Sequence, residues 1–147
     1  MDENKKILVY ALQESDLVVQ ELKKRMANCQ VFAFIGPLGA GKTTIIRQLL
    51  RDCGVLGPIT SPTFMYINEH ENAQQQKFYH FDLYRIKSVE EFQFNGFDEY
   101  LYQPTSWSLI EWPEVIAPLL QHKVCFVSFD YHDDDADKRM VTIKSVL

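Results

Sequence analysis

Apolar residues in this chain fall into short continuous runs separated by turn-forming residues. Val31-Phe32-Ala33-Phe34-Ile35 is apolar at every position, which predicts a strand buried on both faces, and the stretch from Thr43 to Leu50 behind it is helix-compatible. Further strands are predicted at Ile7 to Ala11, Phe64 to Asn68, Lys77 to Phe81, Trp107 to Ile110, Val124 to Phe129 and Met140 to Ile143. Ser15 reads as the N-cap of a helix from Asp16 to about Met26, with Leu17, Val18, Glu21, Leu22 and Met26 on a partly apolar stripe. Ser88-Val89-Glu90-Glu91 has capping-box spacing and opens a short helix that Asn95-Gly96 stops, while Pro113 suits the first position of another. The strands before and after the polar stretch Glu69 to Gln76 predict an antiparallel hairpin, and the last two predict a second hairpin at a sheet edge. This order predicts an α/β fold, with a mixed sheet flanked by helices and ligand bound at the C-terminal ends of the strands.

At 147 residues the chain is read as a single domain spanning 1-147. A net charge of −5, with acidic residues gathered at Asp130, Asp133, Asp134, Asp135 and Asp137, argues against direct wrapping of nucleic acid, which relies on Lys and Arg. The Asp cluster reads as a solvated hairpin turn, since a Ca²⁺ loop would want Gly at its bend and a closing Glu. No apolar run approaches a membrane span, and Met1 to Lys6 with the short run after it does not read as a signal peptide. Cys29, Cys53 and Cys125 are widely separated, so neither a disulfide framework nor a zinc site is suggested and a cytoplasmic setting is expected.

The chemistry concentrates between the central strand and its helix. Gly36-Pro37-Leu38-Gly39-Ala40-Gly41-Lys42-Thr43 fits the phosphate-loop pattern G-x-x-x-x-G-K-[ST] at every fixed position, in the strand-to-helix setting that the pattern requires. Gly36, Gly39 and Gly41 let successive N–H groups face one anion, and the helix N-terminus adds its positive dipole end. The predicted nucleotide-binding run is Gly36, Gly39, Ala40, Gly41, Lys42, Thr43 and Thr44. Lys42, read as an exposed loop side chain, would reach the β- and γ-phosphates, and the Thr43 hydroxyl would ligate Mg²⁺.

Such a site needs an acidic residue at the end of a neighbouring strand. Two candidates are present: Asp82, ending Phe78-Tyr79-His80-Phe81, for the metal, and Glu111, ending Leu109-Ile110, for water orientation or general-base work, with the two roles open to exchange. Thr63, after Pro62, stands where a nucleotide-sensing loop would offer a hydroxyl. Trp112 adjoins Glu111 and is a candidate nucleotide contact; His80 reads as a packed imidazole rather than a catalytic one. Arg85 is the one arginine between Arg51 and Arg139, and Arg139 reads as lying outside the motif region.

Together, the loop Gly36 to Thr43, Ser61-Pro62-Thr63-Phe64, His80-Phe81-Asp82-Leu83-Tyr84-Arg85 and Glu111-Trp112-Pro113-Glu114 resemble, in order and spacing, the TsaE (YjeE) family over roughly Ser15 to Ile116. The resemblance implies a small P-loop NTPase fold and a weak, Mg²⁺-dependent ATPase. Such a protein works with TsaD and TsaB in threonylcarbamoyl modification of adenosine 37 in tRNAs reading ANN codons, touching tRNA only through the complex. It assigns Lys42 and Thr43 to phosphate and Mg²⁺, Thr63 to a switch-like loop, Asp82 to the metal site and Glu111 to the catalytic edge. One departure is Pro37, where the family usually has Asp.

Three rival functions share the loop. A small-molecule kinase would want more arginines around the transferred phosphate, and a regulatory GTPase would want Asp-x-x-Gly and Asn-Lys-x-Asp motifs, which are absent. A nucleotide-locked interaction module is the non-enzyme alternative.

Overall fold

The computed structural model describes residues 3–60, 62 and 66–147. Its seven strands are β1 (Lys5–Ala11), β2 (Val31–Ile35), β3 (Ile67–Glu71), β4 (Lys77–Asp82), β5 (Ser106–Glu111), β6 (Val124–Tyr131) and β7 (Lys138–Val146). They form one sheet in the order β1-β7-β6-β2-β5-β4-β3. The continuous apolar run of β2 lies at the centre, parallel to β5 on one side and to β6 on the other. β4 continues the parallel set beyond β5, whereas β3, β7 and the β1–β7 pair are antiparallel additions.

Side chains alternate across β2, so the sheet carries a core on each face. Phe32 and Phe34 pack with Leu22 of α1 (Asp16–Arg25) and Ile45, Ile46 and Leu49 of α2 (Lys42–Asp52). Val31 and Ala33 face the other way, toward Phe81, Ile110, Ile116 and Phe92 of α3 (Val89–Phe94). Ser88 caps α3 as its sequence predicts, accepting the Glu91 N–H at 3.0 Å, but the Glu91 carboxylate takes the N–H of Lys87 rather than that of Ser88, so the reciprocal half of the box is shifted by one residue. Gly96, at φ +75°, ends it and leads into the 3₁₀ turn Phe97–Tyr100. Among the described residues no helix is long and apolar enough to cross a membrane.

Three local expectations are corrected. Ser15 does not cap α1; it is itself helical, and its hydroxyl donates to Gln48 Oε1 of α2 at 2.7 Å. A preceding 3₁₀ turn (Leu12–Glu14) feeds the chain straight into the helix, so Ser15 stands at the N-cap position with helical backbone and makes no side-chain capping bond. The buried stripe of α1 is Val18, Val19 and Leu22, with Leu17 half exposed, because the helix meets both the sheet and α2. The β6–β7 hairpin is not at a sheet edge: β1 pairs along β7 from Lys5 to Ala11.

Candidate functional site

The loop from β2 to α2 turns at Gly36, Gly39 and Gly41, all at positive φ. Gly36 is the tightest: a Cβ there would sit 2.8 Å from the Phe129 carbonyl oxygen of β6. Pro37 is exposed and its carbonyl accepts the Ala40 N–H at 3.2 Å, so its missing N–H removes no bond within the loop turn. Tyr131, from the β6–β7 hairpin, donates its hydroxyl to Leu38 O at 2.9 Å, and Arg139 stacks over the Tyr131 ring at 4.6 Å. Arg139 is therefore beside the loop, contrary to the sequence reading, because strand pairing returns β7 to it.

Lys42 is the first residue of α2 and is buried rather than exposed. Its Nζ donates to Gly36 O at 2.6 Å and lies 3.7 Å from the centre of the Trp112 ring. Burial pushes the ammonium down from its usual lysine range, against the opposing pull of the Glu111, Glu114 and Asp82 charges. Trp112 is held in the left-handed region, at φ 58° and ψ 55°, directly before Pro113, a combination that ordinary residues avoid. Its ring is braced edge-on by Tyr84, with centroids 5.2 Å apart.

Glu111 ends β5 next to the loop strand and is buried. Its Oε1 accepts the Thr43 hydroxyl at 2.6 Å, and its Oε2 accepts His80 Nε2–H at 2.8 Å. Burial alone would push this carboxyl up; the bonds from His80 and Thr43 and the neighbouring positive charge outweigh it and hold Glu111 below the usual carboxylate range. Asp82 stands beside Glu111 in the β4–β5 register. It is pushed up instead, chiefly by burial and also by the Glu111 charge, with the Tyr84 N–H opposing.

A cavity of about 450 Å³ opens next to this cluster, lined by Leu38, Pro62, Tyr66, Asp82, Arg85 and Trp112 among others. The structure thus brings Gly36, Gly39, Ala40, Gly41, Lys42, Thr43, Glu111, Asp82 and Trp112 to one end of the sheet. Thr44 is exposed on the first turn of α2, and Thr63 lies outside the described residues. The tie between His80 and Glu111 was not read from the sequence. Its signal is a polar residue two positions before the strand-end Asp82 on the face that packs beneath α2, and its partner becomes visible only once β4 and β5 are set in register.

A glycine loop joining a central parallel strand to a helix, with that helix's first hydroxyl on a neighbouring strand-end carboxylate, defines the P-loop class of α/β folds. The chain belongs to the TsaE family: residues 10–141 match the family described as threonylcarbamoyl adenosine biosynthesis protein TsaE. Its relatives include proteins that bear the name tRNA threonylcarbamoyladenosine biosynthesis protein TsaE. The one from Haemophilus influenzae is 41% identical over 99 residues, covering 67% of this chain and 61% of the relative. The one from Synechocystis is 33% identical over 117 residues, covering 74% and 69%. The match to the Haemophilus protein thus spans less than two thirds of that protein's length. The crystal structure of YdiB from Bacillus subtilis superposes with a TM-score of 0.67 at 27% identity, covering 97% of this chain and 88% of that one.

Proposed function

We propose that this chain binds ATP with Mg²⁺, hydrolyses it slowly, and through that cycle supports threonylcarbamoyl modification of adenosine 37 in tRNAs reading ANN codons. The observation that carries the reading is the Thr43–Glu111 bond of 2.6 Å directly behind the glycine loop. A hydroxyl and a carboxylate oxygen are the hard donors that Mg²⁺ prefers, and both are anchored to rigid elements. When bound, the ion would neutralise charge on the terminal phosphates. Thr43 and Glu111 would hold it, with Asp82 beside them. The N–H groups of Gly36, Gly39, Ala40, Gly41, Lys42, Thr43 and Thr44, Pro37 having none, would take the phosphates, and the Lys42 ammonium would leave Gly36 O for a phosphate oxygen. Trp112 would cover that lysine, and Thr63 would belong to the nucleotide-sensing loop.

Asp82 takes the water-orienting role in this arrangement, because Thr43 bonds Glu111 and because burial raises the proton affinity of Asp82, as suits a base. Among the described residues Arg85 is the one arginine lining the adjacent cavity, and Arg139, beside the loop, is engaged with the Tyr131 ring and the carbonyls of Ala136 and Lys138. An arginine supplied by a partner can contribute about 10³–10⁵ in rate. The proposal therefore includes TsaD and TsaB as the partners that complete the site, in the cytoplasm, with tRNA met only through their complex.

The test is phosphate release from ATP and from GTP by the purified chain, alone and with TsaD and TsaB. Turnover far below the roughly 1–100 s⁻¹ of kinases, rising when both partners are added, is the expected result. Fast turnover with a small-molecule acceptor and no response to the partners would overturn it in favour of a kinase.

A further inference from the structure

We propose that His80 is a positioning residue for the magnesium ion of the bound nucleotide, acting through Glu111. The inference rests on the nucleotide reading above and assigns a role to a residue which that reading leaves in the core.

His80 lies on β4 between Phe78 and Asp82, on the sheet face that packs beneath α1 and α2, and is fully buried. Packing alone at such a place favours an apolar side chain, as at Phe78 and at Leu109, its partner across to β5. The imidazole instead gives its Nε2–H to Glu111 Oε2, while Nδ1 meets no partner among the described residues. The ring's hydrogen bonding is therefore directed at the carboxylate that Thr43 also holds.

The consequence is geometric. Glu111 is gripped at both oxygens by donors on two different elements, β4 and α2, so rotating the carboxylate would break a bond on either side. Removing the His80 donor would leave Oε2 a buried charged oxygen without a partner. The freed oxygen could then turn toward the Lys42 ammonium, whose charge already acts on Glu111. That movement would take Oε1 off Thr43 and so disable the metal position. His80 prevents it by keeping Glu111 aimed at Thr43, leaving Lys42 to Gly36 O and the phosphates. Outer hydrogen bonds of this kind to ligating carboxylates are commonly worth about 10–100-fold in metal affinity.

The test compares His80→Gln, which keeps an N–H donor at a similar reach, with His80→Met, of similar length and no donor. A fluorescent ADP analogue is titrated against each variant and the wild type in EDTA and across a Mg²⁺ series, with Mn²⁺ binding followed by electron paramagnetic resonance. The expected result is a loss of about 10–100-fold in metal affinity for His80→Met, recovery to within a few-fold in His80→Gln, and EDTA affinities alike in all three. Equal metal affinity in the two variants, with a metal-responsive wild type, overturns this inference alone. A wild type that binds the analogue equally with and without metal overturns the nucleotide reading and this inference with it. Should either variant fail to fold, nitrogen NMR of the wild-type histidine rings decides: a slowly exchanging His80 Nε2–H is expected, and a freely exchanging one overturns the proposal.

Discussion

Gly36 has no room for a side chain, and the atom in the way is backbone. An added Cβ would meet Phe129 O at 2.8 Å and Phe129 Cβ at 3.1 Å, with φ at +150°. Neither neighbour can swing aside, so Gly36→Ala is expected to cost about 1–3 kcal/mol and to push the loop off β6. Gly57, at φ +85° with nothing within 4 Å, is the control: Gly57→Ala should cost only the left-handed backbone penalty of about 1–2 kcal/mol or less. Urea denaturation of both variants, with phosphate release measured alongside, checks this; a Gly36→Ala variant no less stable than Gly57→Ala and fully active would refute the steric argument. The two carboxylates are separable in the same way. Glu111→Gln is expected to weaken Mg²⁺-dependent nucleotide binding while sparing binding in EDTA, whereas Asp82→Asn should hold affinity within a few-fold and slow hydrolysis about a hundredfold. Isothermal titration beside single-turnover kinetics distinguishes them, and the reverse pattern would exchange the two roles.

At the scale of elements, α1 and α2 are clasped on their outer side by polar contacts. Lys23 Nζ lies 2.9 Å from Asp52 Oδ2, Gln20 Nε2 donates to the same oxygen at 3.2 Å, and Ser15 joins Gln48 further along. The Lys23 bond, then the Gln20 bond, hold the Asp52 carboxyl below its ordinary range. For an acid whose pKa is depressed by folding, the stabilisation is present above the unfolded value and disappears as pH falls through the folded one. Asp52→Asn should therefore destabilise the protein at neutral pH and make no difference once the pH is below the range of both values. Both side chains are about one third exposed, so solvent screening keeps the effect under about 1 kcal/mol, and added salt should shrink it. Paired denaturation curves at neutral and acid pH are the measurement; a difference that persists at acid pH would assign the effect to packing instead.

What was legible in the sequence at this scale is what local chemistry determines. The all-apolar β2, the glycine loop, the Ser88 cap and the Gly96 stop each carry their signal within a few residues, and each stands where its pattern indicates. The site's loop and both carboxylates were legible for the same reason. What was not legible depends on partners distant along the chain. Leu17 and Val19 exchange exposure because α2 decides which side of α1 is covered. Ser15 has the right chemistry for a cap but meets Gln48, thirty-three residues away. The hairpin's interior position follows from β1, Arg139 reaches the loop only through β7, and His80 meets Glu111 only through the β4–β5 register.

For the whole molecule, the loop, α2 and the ends of β2, β4 and β5 form one preassembled surface, so a ligand bound there stabilises the fold by mass action. At a hundredfold excess over its dissociation constant the gain is about 2.7 kcal/mol, and for a chain of this size each kcal/mol raises the melting temperature by roughly 2–4 °C. Mg²⁺ with a non-hydrolysable ATP analogue should thus raise the wild-type midpoint by several degrees. Lys42→Ala separates ligand binding from folding. In the free protein the lysine gains a bond to Gly36 O and a contact with the Trp112 ring of about 0.5–2 kcal/mol, but its buried charge carries a desolvation cost of opposite sign. These terms nearly offset, so the ligand-free variant should melt within a few degrees of the wild type. With the ligand the difference is expected to be one-sided, since removing the ammonium would delete the charge proposed to meet the phosphate and leave nothing in its place. Differential scanning calorimetry with and without the analogue is expected to show the rise in the wild type and little or none in Lys42→Ala. A variant that keeps the full rise would mean that Lys42 serves the loop's own structure, and that the nucleotide is held elsewhere.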